Sequence, residues 1–270
     1  MNNDFCRILF WLIAAIGIVS VEPAVAVPLT TLEDTIPHIE LTQSAEAIGG
    51  ATIEDAVVAL RQLTSFPICI EILEYDQQKD GLTLAKALEQ LRTLKAKGEL
   101  TDSDHARLER YQVLAASESP SILIGYTKKT FMLVESKITI RALLNRITEL
   151  DSTYTWRNDG TDKEPIIVLQ PRVKTALDWS IPSVCDSSRS MSTKNLFAPG
   201  GKLTLFFQAY NIHRLEMNSA YQLPDVQIDL CHDHLSARDV LNLVVKAAGH
   251  DLSWSLSGIK GLRWLTFQQN

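Results

Sequence analysis

Positive charge is scarce in this sequence and is nowhere concentrated. The chain carries 26 Lys and Arg residues against 32 Asp and Glu residues, which gives a formal net charge of -6. Its densest basic feature is the adjacent pair Lys128 and Lys129. Because nucleic acids and anionic lipids are bound through clustered cations, the composition predicts neither of them as a partner.

Long apolar runs are absent beyond residue 26. No later segment approaches the roughly 18 uninterrupted apolar residues of a membrane-spanning helix. We therefore predict no stable membrane insertion by the chain after that point. An apolar content of 46% is nevertheless ample for a buried core.

The one long apolar run stands at the start of the chain. Residues Ile8 to Val21 follow Arg7 and lead into an Ala-Val-Ala sequence at residues 24–26, an order typical of a secretory signal peptide. As a helix this run would reach about 21 Å, against the ~30 Å of a bilayer core, so an uncleaved anchor is the weaker alternative. We predict a signal peptide over residues 1–26 and an exported protein, periplasmic or extracellular.

Cysteine is rare, with four in the whole chain. Removal of the signal peptide leaves Cys69, Cys185 and Cys231, which allow at most one disulfide in an oxidising compartment. Cys69 lies in an apolar, strand-like stretch, where we expect a buried thiol. If a disulfide forms, Cys185 and Cys231 are its candidates, because both flank less regular sequence.

Recognisable catalytic motifs are missing as well. The sequence has no Gly-x-Ser-x-Gly motif for a nucleophile, and Gly49-Gly50 lacks the Lys that completes a phosphate-binding loop. We predict no catalytic residues and no bound cofactor.

The densest group of reactive side chains is the segment Cys231-His232-Asp233-His234. In an extended backbone His232 and His234 share one face, and with a third ligand they would suit zinc or copper. Cys231, His232 and His234 are therefore the candidate metal ligands. The competing interpretation is that these polar residues simply end a strand before a helix begins.

An internal repeat organises the sequence. Residues 137–156 match residues 234–254 with one residue of slack. A spacing of roughly 100 residues is too long for a solenoid repeat and suits a duplicated small domain. The matched pairs include Thr139 with Ser236, Arg141 with Arg238, Leu144 with Leu241, Asn145 with Asn242, and Trp156 with Trp254.

Each copy is predicted to contain a strand, an amphipathic helix and a hairpin. Apolar residues recur at helical spacing after Thr139 and after Ser236, which are good N-cap residues. The sequence Ser236-x-x-Asp239 is an acidic variant of the capping box. Residues 52–63 predict a further helix before a strand over residues 68–75, whereas residues 202–217 fit either a strand or a helix.

We predict an α/β fold of the α+β type, with two related modules of βαββ order whose helices pack on one face of short sheets. An inserted helical hairpin carries its own apolar stripe. The predicted segments are a signal peptide (1–26), an N-terminal extension (27–50), a first module (51–185) with the hairpin insert (82–116), a linker (186–201) and a second module (202–270).

Three tryptophans recur near the predicted hairpins, namely Trp156, Trp254 and Trp264. They could form a shelf that binds sugar or peptide. The simpler interpretation is that they seal the sheet against its helix.

A predicted helix with Ala56, Leu60 and Leu63 comes first, a later helix follows with Thr139, Leu143 and Leu144, and Tyr154 and Trp156 stand on the next strand. This order of elements resembles the short N-terminal domain of secretins and TonB-dependent receptors. The resemblance covers residues 52–171, with the insert interrupting it, and more weakly residues 226–267. It implies a small periplasmic α/β module that binds protein partners and has no catalytic residues.

The sequence therefore predicts an exported, non-catalytic module for protein interaction or envelope assembly, with an envelope or periplasmic protein as partner. Exposed strand edges are the expected contact surface. One alternative is a metal-dependent enzyme or metal-binding periplasmic protein centred on residues 231–234. Another is a structural domain whose tandem copies self-associate.

Overall fold

The structure is a computed structural model that describes residues 28–181, 190–215, 223–230, 235–249 and 252–269. It has the mixed α+β composition that the sequence predicts. In the first half the elements are β1 (Thr35–Leu41), α1 (Ile53–Leu63), β2 (Ile68–Glu71), β3 (Gly81–Thr83), α2 (Leu84–Lys97), α3 (Asp102–Ala115), β4 (Leu123–Tyr126), β5 (Leu133–Thr139), α4 (Ile140–Leu150), β6 (Tyr154–Asn158) and β7 (Ile167–Pro171). In the second half they are a 3₁₀ turn (Ala176–Asp178), β8 (Ser190–Ser192), α5 (Thr193–Leu196), α6 (Lys202–Ala209), β9 (Ile212–Leu215), β10 (Gln227–Asp229), α7 (Ala237–Ala248), β11 (Leu252–Ile259) and β12 (Leu262–Gln269).

The two halves repeat the same order of elements. Without the insert, the first half runs strand, helix, strand, strand, helix, strand, strand, and the second half repeats this order apart from the short α5. In each half the first and third of these strands pair antiparallel, β1 with β5 and β8 with β10. The remaining three strands of each half enter a larger sheet.

That larger sheet has six strands in the order β6, β7, β2, β11, β12, β9. The first three come from the first half and the last three from the second half. The halves meet where β2 runs parallel to β11. The expectation of separate short sheets therefore differs from the structure, in which one sheet is continuous through both units.

The helices of the two halves cover opposite faces of this sheet. Ile68 and Ile70 of β2 point into a core shared with the apolar residues of α1 and α4. Cys69, between them, points into a second core with those of α6 and α7. Both faces of β2 are therefore buried, which explains why Ile68, Cys69 and Ile70 are apolar without alternation.

The helices begin where their sequence signals place them. Thr52 with Asp55, Thr101 with Asp104, and Ser236 with Asp239 form complete capping boxes. In each box the hydroxyl accepts from the N3 amide and the carboxylate accepts from the N-cap amide, which satisfies two otherwise unpaired donors. The predicted N-caps at Ser236 and Thr139 are confirmed.

The insert is larger than the predicted hairpin over residues 82–116. It spans residues 81–126, because the antiparallel pair of β3 and β4 closes its base. Leu84, Leu88, Leu91 and Leu108 form a small core of its own. The buried carboxylate of Asp104 accepts from the Gly49 amide at 3.2 Å and fixes the insert to the first half.

Part of the predicted linker has regular structure. Residues 190–196 form β8 and α5, and residues 182–189 lie outside the described residues. The Ser192 hydroxyl accepts from the Asn195 amide at 3.3 Å and Leu196 is buried, so polar residues that suggest a linker act here as caps and strand ends. The ambiguous stretch 202–217 contains both a helix, α6, and a strand, β9.

The predicted N-terminal extension also contributes to the fold. Its residues 35–41 form β1, which pairs with β5 along its whole length. Ile36 and Ile39 are fully buried in the first core. Among the described residues, no helix combines the length and apolar character needed to cross a bilayer.

Candidate functional site

The junction between β2 and β11 is where the two halves become one sheet. Ile70 lies opposite Ser255 and Glu71 opposite Leu256 in parallel register. The Ile72 amide donates to the Leu256 carbonyl at 2.7 Å, and the Lys260 amide donates to the Tyr75 carbonyl at 2.9 Å. These bonds form only when the two parallel strands, which come from separate units, are aligned. The alignment of β2 with β11 therefore depends on further contacts nearby.

A buried ion cluster supplies the strongest of these contacts. Glu71, which is 0% exposed, accepts from Arg263 Nη2 at 3.0 Å through one carboxylate oxygen and from Arg238 Nη2 through the other. Arg238 also donates to Asp178, and Arg263 Nε lies 3.4 Å from Glu74. We call Glu71, Arg238, Arg263, Asp178 and Glu74 the Glu71 cluster.

The Glu71 cluster binds the halves together across the sheet. Glu71 comes from β2 of the first half, whereas Arg238 begins α7 and Arg263 lies on β12 of the second half. Burial alone would lower the pKa of Arg238, but its hydrogen bonds to Asp178 and Glu71 outweigh that effect and raise the pKa above its usual value. With both oxygens of Glu71 engaged by guanidinium groups, the arrangement holds the two halves in position.

A second cation crosses the junction on the other face. Arg61 of α1 donates through Nε to the Ile68 carbonyl at 2.7 Å and through Nη2 to the Trp254 carbonyl at 3.2 Å and to Ser255 Oγ at 3.1 Å. Burial lowers the pKa of Arg61 to about 10, so it stays a cation at neutral pH.

The repeat identifies which of these contacts are special to the junction. Arg141 occupies the position in α4 that Arg238 occupies in α7, yet its side chain is 42% exposed and pairs with Glu33 at the surface. The two arginines are matched in the sequence repeat, whereas the buried partner Glu71 lies outside it. The sequence nevertheless indicates buried charges at these positions, because Glu71 interrupts an apolar run and Arg263 stands between Leu262 and Trp264.

The repeated tryptophans make the same bond in each half. Trp156 Nε1 donates to Asn145 Oδ1 at 2.8 Å, and Trp254 Nε1 donates to Asn242 Oδ1 at 2.9 Å. In each case the strand after the helix is tied back to that helix, so these two side chains seal the sheet. Trp264 lies half-buried on β12.

A cavity of about 450 Å³ lies between the insert and the first half. Leu82, Leu94 and Tyr126 supply much of its apolar wall. The Tyr126 ring stacks on Tyr75 at 5.3 Å between centroids. The volume is within the range of small-molecule sites, but the ammonium group of Lys128 in its wall is already paired with Glu54 at 3.1 Å and with Glu46.

Cys69 is a free, buried thiol, as the sequence predicts. Burial raises the pKa of Cys69 to about 12, because the charged thiolate is poorly solvated there. Since the thiolate is the reactive form and becomes abundant only as pH approaches the pKa, we expect Cys69 to resist a thiol reagent such as DTNB at pH 8.

The measurement is the absorbance of the thionitrobenzoate that DTNB releases when it reacts with a thiol. The chain used has its other cysteines replaced by serine. We expect reaction only after urea is added. Rapid labelling of the folded chain would contradict the buried position of Cys69.

The predicted metal ligands Cys231, His232 and His234 lie outside the described residues, as does Cys185. Within the segments that the structure describes, no group of three or more His, Cys, Asp or Glu side chains is arranged to hold a metal ion.

The outer edge of β6 is open in the described part of the chain. Ile167, which faces Asn158 across the hairpin, donates its amide to Pro67 on the far side at 2.9 Å, whereas Asp159 donates to Ile166 at 2.9 Å. Because successive residues of an antiparallel strand alternate in direction, the amide and carbonyl of Asn158 point away from β7. The same alternation applies to Trp156, two residues earlier.

This edge carries few of the devices that usually protect edge strands. Arg157 contributes the one charged side chain of β6, and its guanidinium is paired with Asp159 at 2.8 Å and Asp239 at 3.2 Å. β6 contains no proline. An open edge of this kind is a template for a further strand.

In comparisons with known proteins, the chain matches no protein family model, no curated protein and no solved structure.

Proposed function

We propose that this chain is an exported, non-catalytic protein that binds envelope or periplasmic proteins by accepting a strand at the outer edge of β6. The observation that carries the proposal is the pair of outward-pointing backbone groups at Trp156 and Asn158. Strand addition obtains affinity from main-chain hydrogen bonds of this kind.

Several features support this function. The leader-like residues 1–26 favour export to the periplasm or beyond. The resemblance to the short N-terminal domain of secretins and TonB-dependent receptors favours a protein partner. The ionised side chains at the junction are engaged with one another, which assigns them to the architecture of the sheet.

The test compares two substitutions at one residue. Asn158 Oδ1 accepts from the Gly160 amide at 3.0 Å and the Ile166 amide at 3.1 Å, and both Asn158→Ala and Asn158→Pro remove those bonds. Only the proline also removes the outward N–H of β6. The pair therefore separates the edge from the turn.

The exported chain and both variants are used as bait in an envelope extract of the cells that produce it. We expect the unchanged chain and Asn158→Ala to capture the same defined envelope protein, and Asn158→Pro to lose it. Equal capture by the two variants, or retention of the chain in the cytoplasm of the producing cells, would contradict the proposal.

A further inference from the structure

We infer that a second copy of this chain is a partner, and that copies join head to tail with β9 of one chain parallel to β6 of the next. The inference goes beyond the proposed function, although both use the β6 edge. It is carried by the junction inside the chain, which already displays the contact that the two outer edges would make.

The strands of the two halves are equivalent one to one. β6 and β11 each follow the repeated helix, β7 and β12 are their hairpin partners, and β2 and β9 each run parallel to the second hairpin strand. Across the sheet both halves have the same order, first hairpin strand, second hairpin strand, parallel strand. The junction therefore joins the last strand of one unit to the first strand of the next.

The strand directions are reversed between the two units. β2 is parallel to β7, and β11 is parallel to β2 but antiparallel to β12. The second unit thus runs opposite to the first, which also explains why its helices cover the opposite face. One unit is superposed on the other by a half turn about an axis that lies in the sheet, perpendicular to the strands. The half turn is combined with a shift along that axis. Applied again, this operation restores the starting direction and places a new β6 parallel to β9.

Both outer edges of the six-stranded sheet are open in the described part of the chain. There β6 pairs with β7 alone and β9 pairs with β12 alone. The two edges differ from each other. β9 is equivalent to β2 and β6 is equivalent to β11, so the two edges correspond to the two strands that meet at the junction. Contacts between unlike surfaces are heterologous, and they build rings or open chains of copies.

The coverage of the sheet supports the same arrangement independently. On the face of the first half that lies away from its own helices, Val168 is fully buried beneath the second half, and Asp239 of α7 contacts Arg157 there. On the corresponding face of the second half, Leu262 and Trp264 are only half-buried. A following copy would bring its α4, the counterpart of α7, over these two apolar side chains.

The internal register predicts which residues meet between copies. Two residues before the pair Ile70 and Ser255, Ile68 lies beside Ser253 and donates its amide to the serine Oγ at 3.0 Å. The counterpart of Ser253 in the first half is Thr155. The counterpart of Ile68 in the second half is Arg214, since the two pair with the equivalent residues Ile167 and Leu265. Thr155 of one copy should therefore lie beside Arg214 of another.

The experiment uses the exported chain with its native cysteines replaced by serine or alanine and one new cysteine, either Thr155→Cys or Arg214→Cys. A short bismaleimide is added to each variant alone and to their mixture. We expect a cross-linked pair in the mixture and little product from either variant alone. Equal cross-linking of Thr155→Cys with itself would overturn the head-to-tail geometry.

Sedimentation velocity of the purified chain provides the second readout. We expect a mass that rises with concentration beyond that of a dimer, because each added copy leaves another free edge. Asn158→Pro should associate about tenfold more weakly than Asn158→Ala, the effect of losing one or two backbone hydrogen bonds. A monomer at every concentration, or growth that stops at a dimer without ring closure, would overturn the inference.

The two proposals fail in different ways. A purified chain that stays monomeric while its bait captures another envelope protein refutes the head-to-tail contact and leaves the proposed function intact. A chain that polymerises through β6 but captures no other protein refutes the proposed recognition of envelope proteins and supports the contact between copies.

Discussion

Replacing Glu71 with alanine is expected to lower the free energy of unfolding by about 3–5 kcal/mol, the usual effect of removing one partner from a buried ion pair. The substitution leaves Arg238 and Arg263, each 2% exposed, without the carboxylate that both guanidinium groups contact. The desolvation penalty of these cations is then offset less, because only the more exposed carboxylates of Asp178 and Glu74 remain beside them. Urea unfolding followed by circular dichroism at neutral pH measures the loss.

Glu74→Ala is the matched control for this prediction. Glu74 also lies beside Arg263, at 3.4 Å from Nε, but its side chain is 40% exposed. Exposed pairs of this type contribute at most about 1 kcal/mol, so the control should stay close to the unchanged chain. Similar losses for the two variants would mean that burial of the Glu71 cluster does not set its energetic weight.

The elements that the sequence predicts well are those whose signals are local. The capping boxes at Thr52, Thr101 and Ser236 each combine a hydroxyl and a carboxylate within four residues, and an apolar stripe follows. A helix needs little more than these to be located. The internal repeat is a second, independent indication of α4 and α7, because their sequences match each other.

The strands that the sequence missed have no such local signal. β1 contains Pro37, His38 and Glu40, which are not typical of a strand. Ile36 and Ile39 become buried only when β1 pairs with β5. β8 is three residues long and reads Ser-Met-Ser. Strand pairing is decided by contacts with distant residues, so short or polar strands are poorly marked in their own sequence.

The candidate site was even less accessible to sequence reasoning. Glu71 and Arg238 lie 167 positions apart, and Glu71 and Arg263 lie 192 positions apart. A charged residue within the apolar run of β2 indicates that a partner is needed but does not identify it. The open edge of β6 likewise depends on which strand is last in the sheet, which follows from the whole topology.

The second large effect is expected at Trp254. Trp254→Ala should lower the free energy of unfolding by about 3–5 kcal/mol, as for other large buried aromatic side chains. The indole is 0% exposed in the second core, and its loss also leaves the buried Asn242 Oδ1 without the Nε1 donor at 2.9 Å. The midpoint and slope of urea unfolding give the change.

Trp156→Ala is the natural comparison, because the repeat places Trp156 in the same position of the first half with the same bond to an asparagine, at 2.8 Å. Trp156 lies on the edge strand β6 and is half-buried, whereas Trp254 lies on β11 with a strand on each side. At concentrations where the chain is monomeric, the same truncation should therefore cost less at Trp156, since less apolar area returns to water and the site can collapse more easily. An equal or larger loss at Trp156 would imply that the β6 edge is covered in solution. Measurement at several protein concentrations would then identify what covers it. The loss at Trp156 grows with concentration if a second copy covers the edge, and it does not change with concentration if the cover lies within one chain.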